Sequence, residues 1–199
     1  MDNLDVYIHN LKKNRFKVEY FQKGSEFVEY IIRSLATKSS IGFGGSMTLE
    51  ELNLYDRLTD AGFSVYWHWR NSEIIDTKEA ALNSDIYFSS ANAITMDGKI
   101  VNKDGTGNRV ANTFYHHKEV FIVVGVNKLV ETMDDAMDRI DNYVAPKNAK
   151  RLGVNTPCVV TGMCSDCTSK ERICNVLTIL EKKTSVDITV VIINEELGY

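Results

Sequence analysis

The chain has 199 residues, 44% of them hydrophobic, which is enough to bury a substantial core within one domain. Its net charge of −4, with acidic residues spread along the sequence, leaves no basic stripe of the kind that grips nucleic acid. The longest apolar stretch, Val120 to Val126, is far too short to span a bilayer, and the mixed-charge start MDNLDVYIHNLKKNRF is unlike a signal peptide, so a cytoplasmic protein is expected.

In chain order, a first helix is predicted over about residues 3 to 14. A second is predicted near Ser25 to Ala36, where Phe27, Ile31, Ile32 and Leu35 recur at helical spacing. Val18 to Phe21 reads as a strand between them, and Ser40 to Phe43 as the next. The chain then turns through Gly44-Gly45-Ser46 into a helix whose Leu54, Leu58 and Ala61 mark a buried face, with Thr48 and Glu51 fitting a capping box. Ser64 to Trp69 alternates like a strand, and a short helix at Thr77 to Asn83 leads to a strand at Ile86-Tyr87-Phe88. Asp97-Gly98 suits a two-residue turn joining Ala93-Ile94-Thr95 to Ile100-Val101-Asn102. Phe121 to Gly125 is a buried strand, Glu131 to Val144 a helix, Lys170 to Lys183 another helix, and Ile188 to Ile193 a last strand. This alternation predicts an α/β fold: an open, mainly parallel sheet with helices on both faces, the hairpin being an added antiparallel piece. No internal repeat or low-complexity tract is visible, so residues 1–199 read as a single domain with a cysteine-containing segment at 156–176.

Three stretches carry candidate chemistry. The first is Gly42-Phe43-Gly44-Gly45-Ser46-Met47-Thr48, in which Gly44, Gly45, Ser46 and Thr48 sit where a strand hands over to a helix and can face an anion. It lacks the third glycine of a dinucleotide fingerprint and the lysine of a Walker loop. A tight turn with capping hydroxyls is the plain alternative. The second runs from Asp85 through Asn92 and Asn102 to Gly105-Thr106-Gly107-Asn108-Arg109. Glycine permits close backbone approach there, and Asn, Thr and Arg offer donors to carboxylate or phosphate oxygens. Ligands on open α/β sheets lie beyond the carboxyl ends of the strands, so the two loops are expected to share a pocket for a small anion. If Arg109 is charge-paired to that anion, Arg109→Ala is expected to weaken binding by about 1.5 to 3 kcal/mol.

The third stretch is Cys158-x5-Cys164-x2-Cys167-x6-Cys174, which holds all four cysteines of the chain. In a reducing compartment such a cluster suits an iron–sulfur cluster or, alternatively, zinc, or else leaves free thiols. The spacing matches neither a standard zinc ribbon nor the bacterial ferredoxin run. Among the histidines, His116 and His117 follow the glycine loop closely enough to be acid–base candidates.

With these residues in place, the sequence resembles the LUD-domain family, the lactate utilization proteins once known only as a domain of unknown function. The resemblance runs over nearly the whole chain, through Gly42 to Thr48 with Leu49 to Leu52, Ser90 to Thr95, Asp97 to Asn102, Asp104 to Ala111, Val124 to Lys128 and Ala145 to Leu152. It implies a fold similar to sugar-phosphate isomerases, glucosamine-phosphate deaminases and coenzyme A transferases. The Asp97 to Thr106 run is also similar to a segment of methylthioribose phosphate isomerases that follows a catalytic aspartate, a position that Asp85 matches. Better-studied members of the LUD family work with iron–sulfur proteins in oxidising L-lactate to pyruvate, which implies such a role here, with those proteins as partners. No flavin or nicotinamide fingerprint is present, so a component of such a system is expected rather than a complete dehydrogenase. Two alternatives stay open: a stand-alone enzyme acting on a phosphorylated sugar or coenzyme A ester, and a non-catalytic ligand-binding module.

Overall fold

The computed structural model describes residues 3–36, 38–70 and 76–199. Helix α1 (Asn3–Lys13) buries Tyr7 and Leu11, one turn apart. It is followed by β1 (Lys17–Phe21), α2 (Gly24–Ser34), which buries Phe27, Val28 and Ile31, and β2 (Ser40–Phe43). Two short helices, α3 (Met47–Glu51) and α4 (Leu54–Asp60), lead to β3 (Ser64–Tyr66). Then come α5 (Thr77–Leu82), β4 (Ile86–Ser89), β5 (Ala93–Thr95), β6 (Ile100–Asp104), α6 (Asn108–Ala111) and β7 (Glu119–Gly125). A 3-10 turn (Val126–Lys128) and β8 (Leu129–Val130) precede α7 (Met133–Arg139), a π-helical turn (Ile140–Val144) and α8 (Ala145–Leu152). The chain ends with α9 (Pro157–Thr161), β9 (Val176–Leu180) and β10 (Asp187–Ile193).

Six strands form one sheet in the order β1-β10-β7-β4-β2-β3, every neighbouring pair parallel. From Val120 to Val124 β7 is apolar on both faces, as expected of a strand covered on both sides. Phe121 and Val123 point into a core shared with α2, α3 and α4, whereas Val120, Ile122 and Val124 point into a second core with α1 and α5. The remaining strands form a smaller sheet, β8-β5-β6-β9. Its Ile94 and Ile100 join the second core, and Ala93 and Val101 pack on the other side against Ala136 and Ile140.

The hairpin is therefore the centre of a separate sheet, paired on one edge with β8 and on the other with β9. Its loop is longer than the two residues expected: Thr95 and Lys99 still bond (3.0 Å), and Gly98 at φ +80 occupies the left-handed position that closes a three-residue turn. The helix predicted at Lys170 to Lys183 is corrected to a bend followed by β9, whose alternating half-buried and exposed residues pair antiparallel with β6. Val176, Thr178 and Ile179 are β-branched and favour that pleated surface once a partner strand is supplied. The strand predicted at Ser64 to Trp69 stops at Tyr66, and Trp67 continues inward to complete burial. Ser46, and not Thr48, caps α3, its hydroxyl accepting from Leu49 N. Conversely, the helix expected to stop at Val144 runs on to Leu152. Pro146 lacks an N–H and crowds the preceding turn, and the chain accommodates it by widening that turn, with Ala145 N bonding Ile140 O.

Candidate functional site

Strand order fixes where a site forms. From β2 the chain moves outward to β3, then crosses back to β4 on the other side, so a crevice opens beyond the carboxyl ends of β2 and β4. A cleft of about 260 Å³ lies there, slightly below the volume usual for drug-sized ligands. The turn after β2 contributes Gly45 and Ser46, and the segment after β4 contributes Ser90 and Asn92. The loop after β6 adds Gly105, Thr106, Asn108 and Arg109. The two loops that the sequence singled out thus share one wall-to-wall cavity. Gly44, Thr48, Asn102 and Gly107 stand behind that surface and do not line it. At Gly44 any side chain would force its neighbours to move, since a Cβ would come within 2.8 Å of both the Arg109 stem and the Tyr87 hydroxyl.

The loop after β6 is braced by its own polar groups. Asp104 accepts from the backbone N–H groups of Thr106 and Gly107 and pairs with Arg109 Nε at 3.0 Å. The other donors of Arg109 go to Asn102 Oδ1 (2.8 Å), Lys103 O (2.7 Å) and Ser90 O (3.4 Å). Asn102, 2% exposed, also accepts from Asn92 N, while Asn92 Oδ1 accepts from Lys103 N. Four of the five N–H donors a guanidinium carries are therefore engaged within the protein. Arg109 faces the cleft as a positive field with little hydrogen-bonding capacity left over. Lys103, also on the cleft, pairs with Asp141.

Lys128 differs. It ends the 3-10 turn after β7, is only 3% exposed, and lines the cleft. Its Nζ donates to Thr48 Oγ1 (2.7 Å) and Ser90 Oγ (3.0 Å), and it has no carboxylate partner among the described residues. Thr48 in turn donates to Leu197 O. The Leu197-Gly198-Tyr199 segment closes the site from behind, with Gly198 at φ +61 so near that a Cβ would sit 2.8 Å from the Thr48 hydroxyl and 3.4 Å from Nζ. Burial, reinforced by the positive charges of Arg139 and Arg109 and opposed by Glu51, pushes the Lys128 pKa down to about 7. The sequence reading passed over this residue, although it closes the Val124 to Lys128 motif. A lysine right after an apolar strand and its terminal glycine was the available signal.

The far wall is formed by Trp69, Arg151 and Tyr199. The Arg151 guanidinium lies 4.6 Å over the Trp69 ring and donates to Asn148 Oδ1 and the Tyr199 hydroxyl. Like Lys128, it has no acidic partner among the described residues. The basic run Lys147 to Arg151, which reads in sequence as a solvated helix end, thus places one cation on the cleft. His68 also lines it, and burial, together with Lys78, lowers its pKa.

Asp85 does not join this assembly. It precedes β4 at the opposite end of the sheet, accepting from Ser40 N and Oγ and pairing with Lys118 at 2.6 Å, contacts that hold its carboxyl well below the usual range. His117 is buried near the same end, bonded to Ser84 O and stacked on Tyr87, and neither it nor His116 lines the cleft.

Cys158, Cys164, Cys167 and Cys174 converge on a second, very small cavity of about 10 Å³, which adjoins the cleft through Ala145, Ile173 and Cys174. Arg172 staples this segment by donating to Asp166, Cys167 O and Cys174 O. Asn175 ties it to the cleft loop through Gly105 O. All four thiols are half-buried and unbonded to one another, and burial pushes the Cys174 thiol up. Among the described residues no three His, Cys, Asp or Glu side chains stand in ligating geometry.

Comparison with known proteins agrees with this architecture. Residues 4–193 match the family model of the LUD domain. A crystal structure of a DUF162 family protein from Deinococcus radiodurans superposes with a TM-score of 0.58, covering 98% of this chain and 97% of that one at 13% identity, a likeness of fold. No curated protein matches the chain. None of the described helices is long and apolar enough to cross a membrane.

Proposed function

This chain belongs to the LUD-domain family, and from that premise we propose that it is a lactate utilization protein whose cleft holds a small carboxylate, as one component of a system oxidising L-lactate to pyruvate. The observation that carries this reading is the charge balance of the cleft. Four lysines and arginines line it against one aspartate, in a chain whose net charge is −4. Asp104 and Asp141 satisfy Arg109 and Lys103, while Lys128 and Arg151 have no acidic partner among the described residues. Arg151 Nη1 has no hydrogen-bond partner among the described residues, and a planar guanidinium suits a carboxylate better than an ammonium does. With no flavin or nicotinamide fingerprint in the sequence, the electrons of lactate would pass to a separate partner, for which the family's association with iron–sulfur proteins is the support.

The test is calorimetric titration with L-lactate, pyruvate and inorganic phosphate. Heat from the two organic acids that is lost in Arg151→Ala supports the proposal. Binding of phosphate alone would instead favour a phosphorylated sugar or a coenzyme A ester as substrate. No heat from any of the three removes the small-anion reading.

The convergence of the cysteines supports a second element of the reading, that they hold an iron–sulfur cluster or zinc. An all-thiol donor set suits either, and all four cysteines line one small cavity, so the ligands an ion would need are neighbours. When bound, a cluster would supply one-electron chemistry and zinc a structural tie. The chain itself supplies the thiols, Arg172 to hold the segment in shape, and Asn175 to couple it to Gly105. Anaerobic purification followed by measurement of iron, sulfide and zinc per chain decides it. Iron with matching sulfide supports a cluster, zinc alone a structural site, and neither leaves free thiols.

A further inference from the structure

We infer that Lys128 is a reactive amine that forms an imine with a small 2-oxo acid held in the cleft, an inference that rests on the carboxylate reading of that cleft. Three features of its surroundings converge. The first is position: Lys128 is the last residue of the turn leaving β7, a central strand, and its amine faces the same cavity as Arg151. The second is stereochemistry. A neutral amine has two hydrogens and one lone pair, and both hydrogens have acceptors, Thr48 Oγ1 and Ser90 Oγ. With both hydrogens engaged the lone pair is left without a hydrogen-bond donor among the described residues, in a side chain that lines the cleft. Neither acceptor is a carboxylate, which would hold the amine in its protonated, non-nucleophilic form. The third is the electrostatic setting. The charged groups acting on the amine are Arg109 from the cleft loop and Arg139 from α7, both of which disfavour a further positive charge, and Glu51 from α3, which opposes them. Burial acts in the same direction as the arginines, so the free amine is well populated at neutral pH.

In the reaction, the Lys128 nitrogen attacks the carbonyl carbon of the 2-oxo acid while the acid's carboxylate lies against Arg151. A carbon–nitrogen bond forms and the carbon–oxygen bond breaks. The oxygen leaves as water, taking both amine hydrogens, for which the Ser90 hydroxyl at 3.0 Å is a ready relay. No electrons are transferred, and no oxidant is required. A 2-hydroxy acid binds the same cleft without reacting.

The experiment is reductive trapping of the wild-type chain with pyruvate and sodium cyanoborohydride, read by intact mass and peptide mapping, beside calorimetry with pyruvate and L-lactate. One reduced adduct per chain on the peptide containing Lys128 is expected, forming faster as pH rises from 6 to 8. It should be absent with L-lactate and absent in Lys128→Arg. Because the map locates the adduct on the wild-type chain, the result stands even if that variant folds poorly. No adduct, or adducts spread over exposed lysines with Lys128 spared, overturns the inference. Pyruvate binding without an adduct overturns it while the carboxylate reading stands, and absence of both binding and adduct removes the two together.

Discussion

The loop from Asn102 to Arg109 and the strand end at Lys128 meet at the same cleft, yet they use polar groups in opposite ways. The loop is dense with donors and acceptors, and nearly all of them answer one another: Asp104 with Arg109, Thr106 and Gly107, and Asn102 with Arg109 and Asn92. Lys128 is a single side chain only 3% exposed, held by two hydroxyls and by no carboxylate among the described residues. A self-satisfied network gives a rigid wall, whereas an unpaired buried cation stores interaction energy that a ligand can release. Density of polar residues in a loop therefore marks bracing here, and the reactive position is the sparsely decorated one.

This contrast is broken most directly at Asp104. Its side chain is 8% exposed and that of Arg109 is 13%, so Asp104→Ala leaves a nearly buried guanidinium without its counter-charge and two backbone N–H groups without an acceptor. Urea unfolding at pH 7 is expected to show a loss of about 3 to 5 kcal/mol. A loss within experimental error would mean that the loop is not a brace. The same logic revises the expectation for Arg109→Ala, whose main effect should be on stability rather than on ligand affinity.

Lys128 gives the opposite sign. Its pKa is lowered from 10.5 unfolded to about 7 folded, so between those values the unfolded chain binds more protons and stability rises with pH. The contribution is complete above pH 10.5 and is lost as pH falls to about 7. Lys128→Met removes that dependence. The variant's stability relative to wild type is expected to be higher by roughly 2 to 4 kcal/mol at pH 6 than at pH 10, after discounting the magnitude of a buried shift. Parallel stability curves for the two proteins would show that Lys128 is not a suppressed cation.

How much of this was readable beforehand depends on the range of the interaction. The Phe121 to Gly125 run, the hairpin around Asp97-Gly98 and the glycines after β2 follow from local pattern, and they were placed as strand, hairpin and strand-to-helix turn, with the hairpin loop one residue longer than expected. Residues 176–180 were misread as helix because they become a strand only by pairing with β6, 72 to 80 residues earlier in the sequence. Lys128 escaped notice for the same reason. A lysine is surface by default, and its burial depends on Thr48, Ser90 and the Leu197 to Tyr199 segment arriving from three distant parts of the chain. The cysteines show the intermediate case: their nearness in sequence singled them out as a group, and they line one cavity, while the bond from Asn175 to Gly105 that ties them to the cleft was invisible.

Arg151 sharpens the comparison from the ligand's side. It is exposed and lies outside the Asp104 network, so Arg151→Ala should alter stability by less than about 1 kcal/mol. It should nevertheless weaken carboxylate binding by about 1.5 to 3 kcal/mol, a factor of roughly 10 to 150, because it removes a charged hydrogen-bond partner of the anion. Titration calorimetry and thermal unfolding on the same samples separate the two quantities. Equal losses in both would make Arg151 another structural brace.

The smallest expected effect is at Asp85, and it bears on the role that resemblance implies for that residue. Asp85 lies at the amino end of β4, with the strand's full length between it and Ser90, so Asp85→Asn is expected to leave pyruvate and lactate affinities unchanged. What it changes is local. The carboxylate accepts from Ser40 and pairs with an exposed lysine, and its depressed pKa means that its contribution is present above about pH 4, the unfolded aspartate value, and is lost as pH falls. A stability deficit of no more than about 1 kcal/mol at pH 7, narrowing by pH 3, is therefore expected from thermal unfolding. A drop in ligand affinity without such a deficit would instead connect this end of the sheet to the cleft and restore Asp85 as a functional residue.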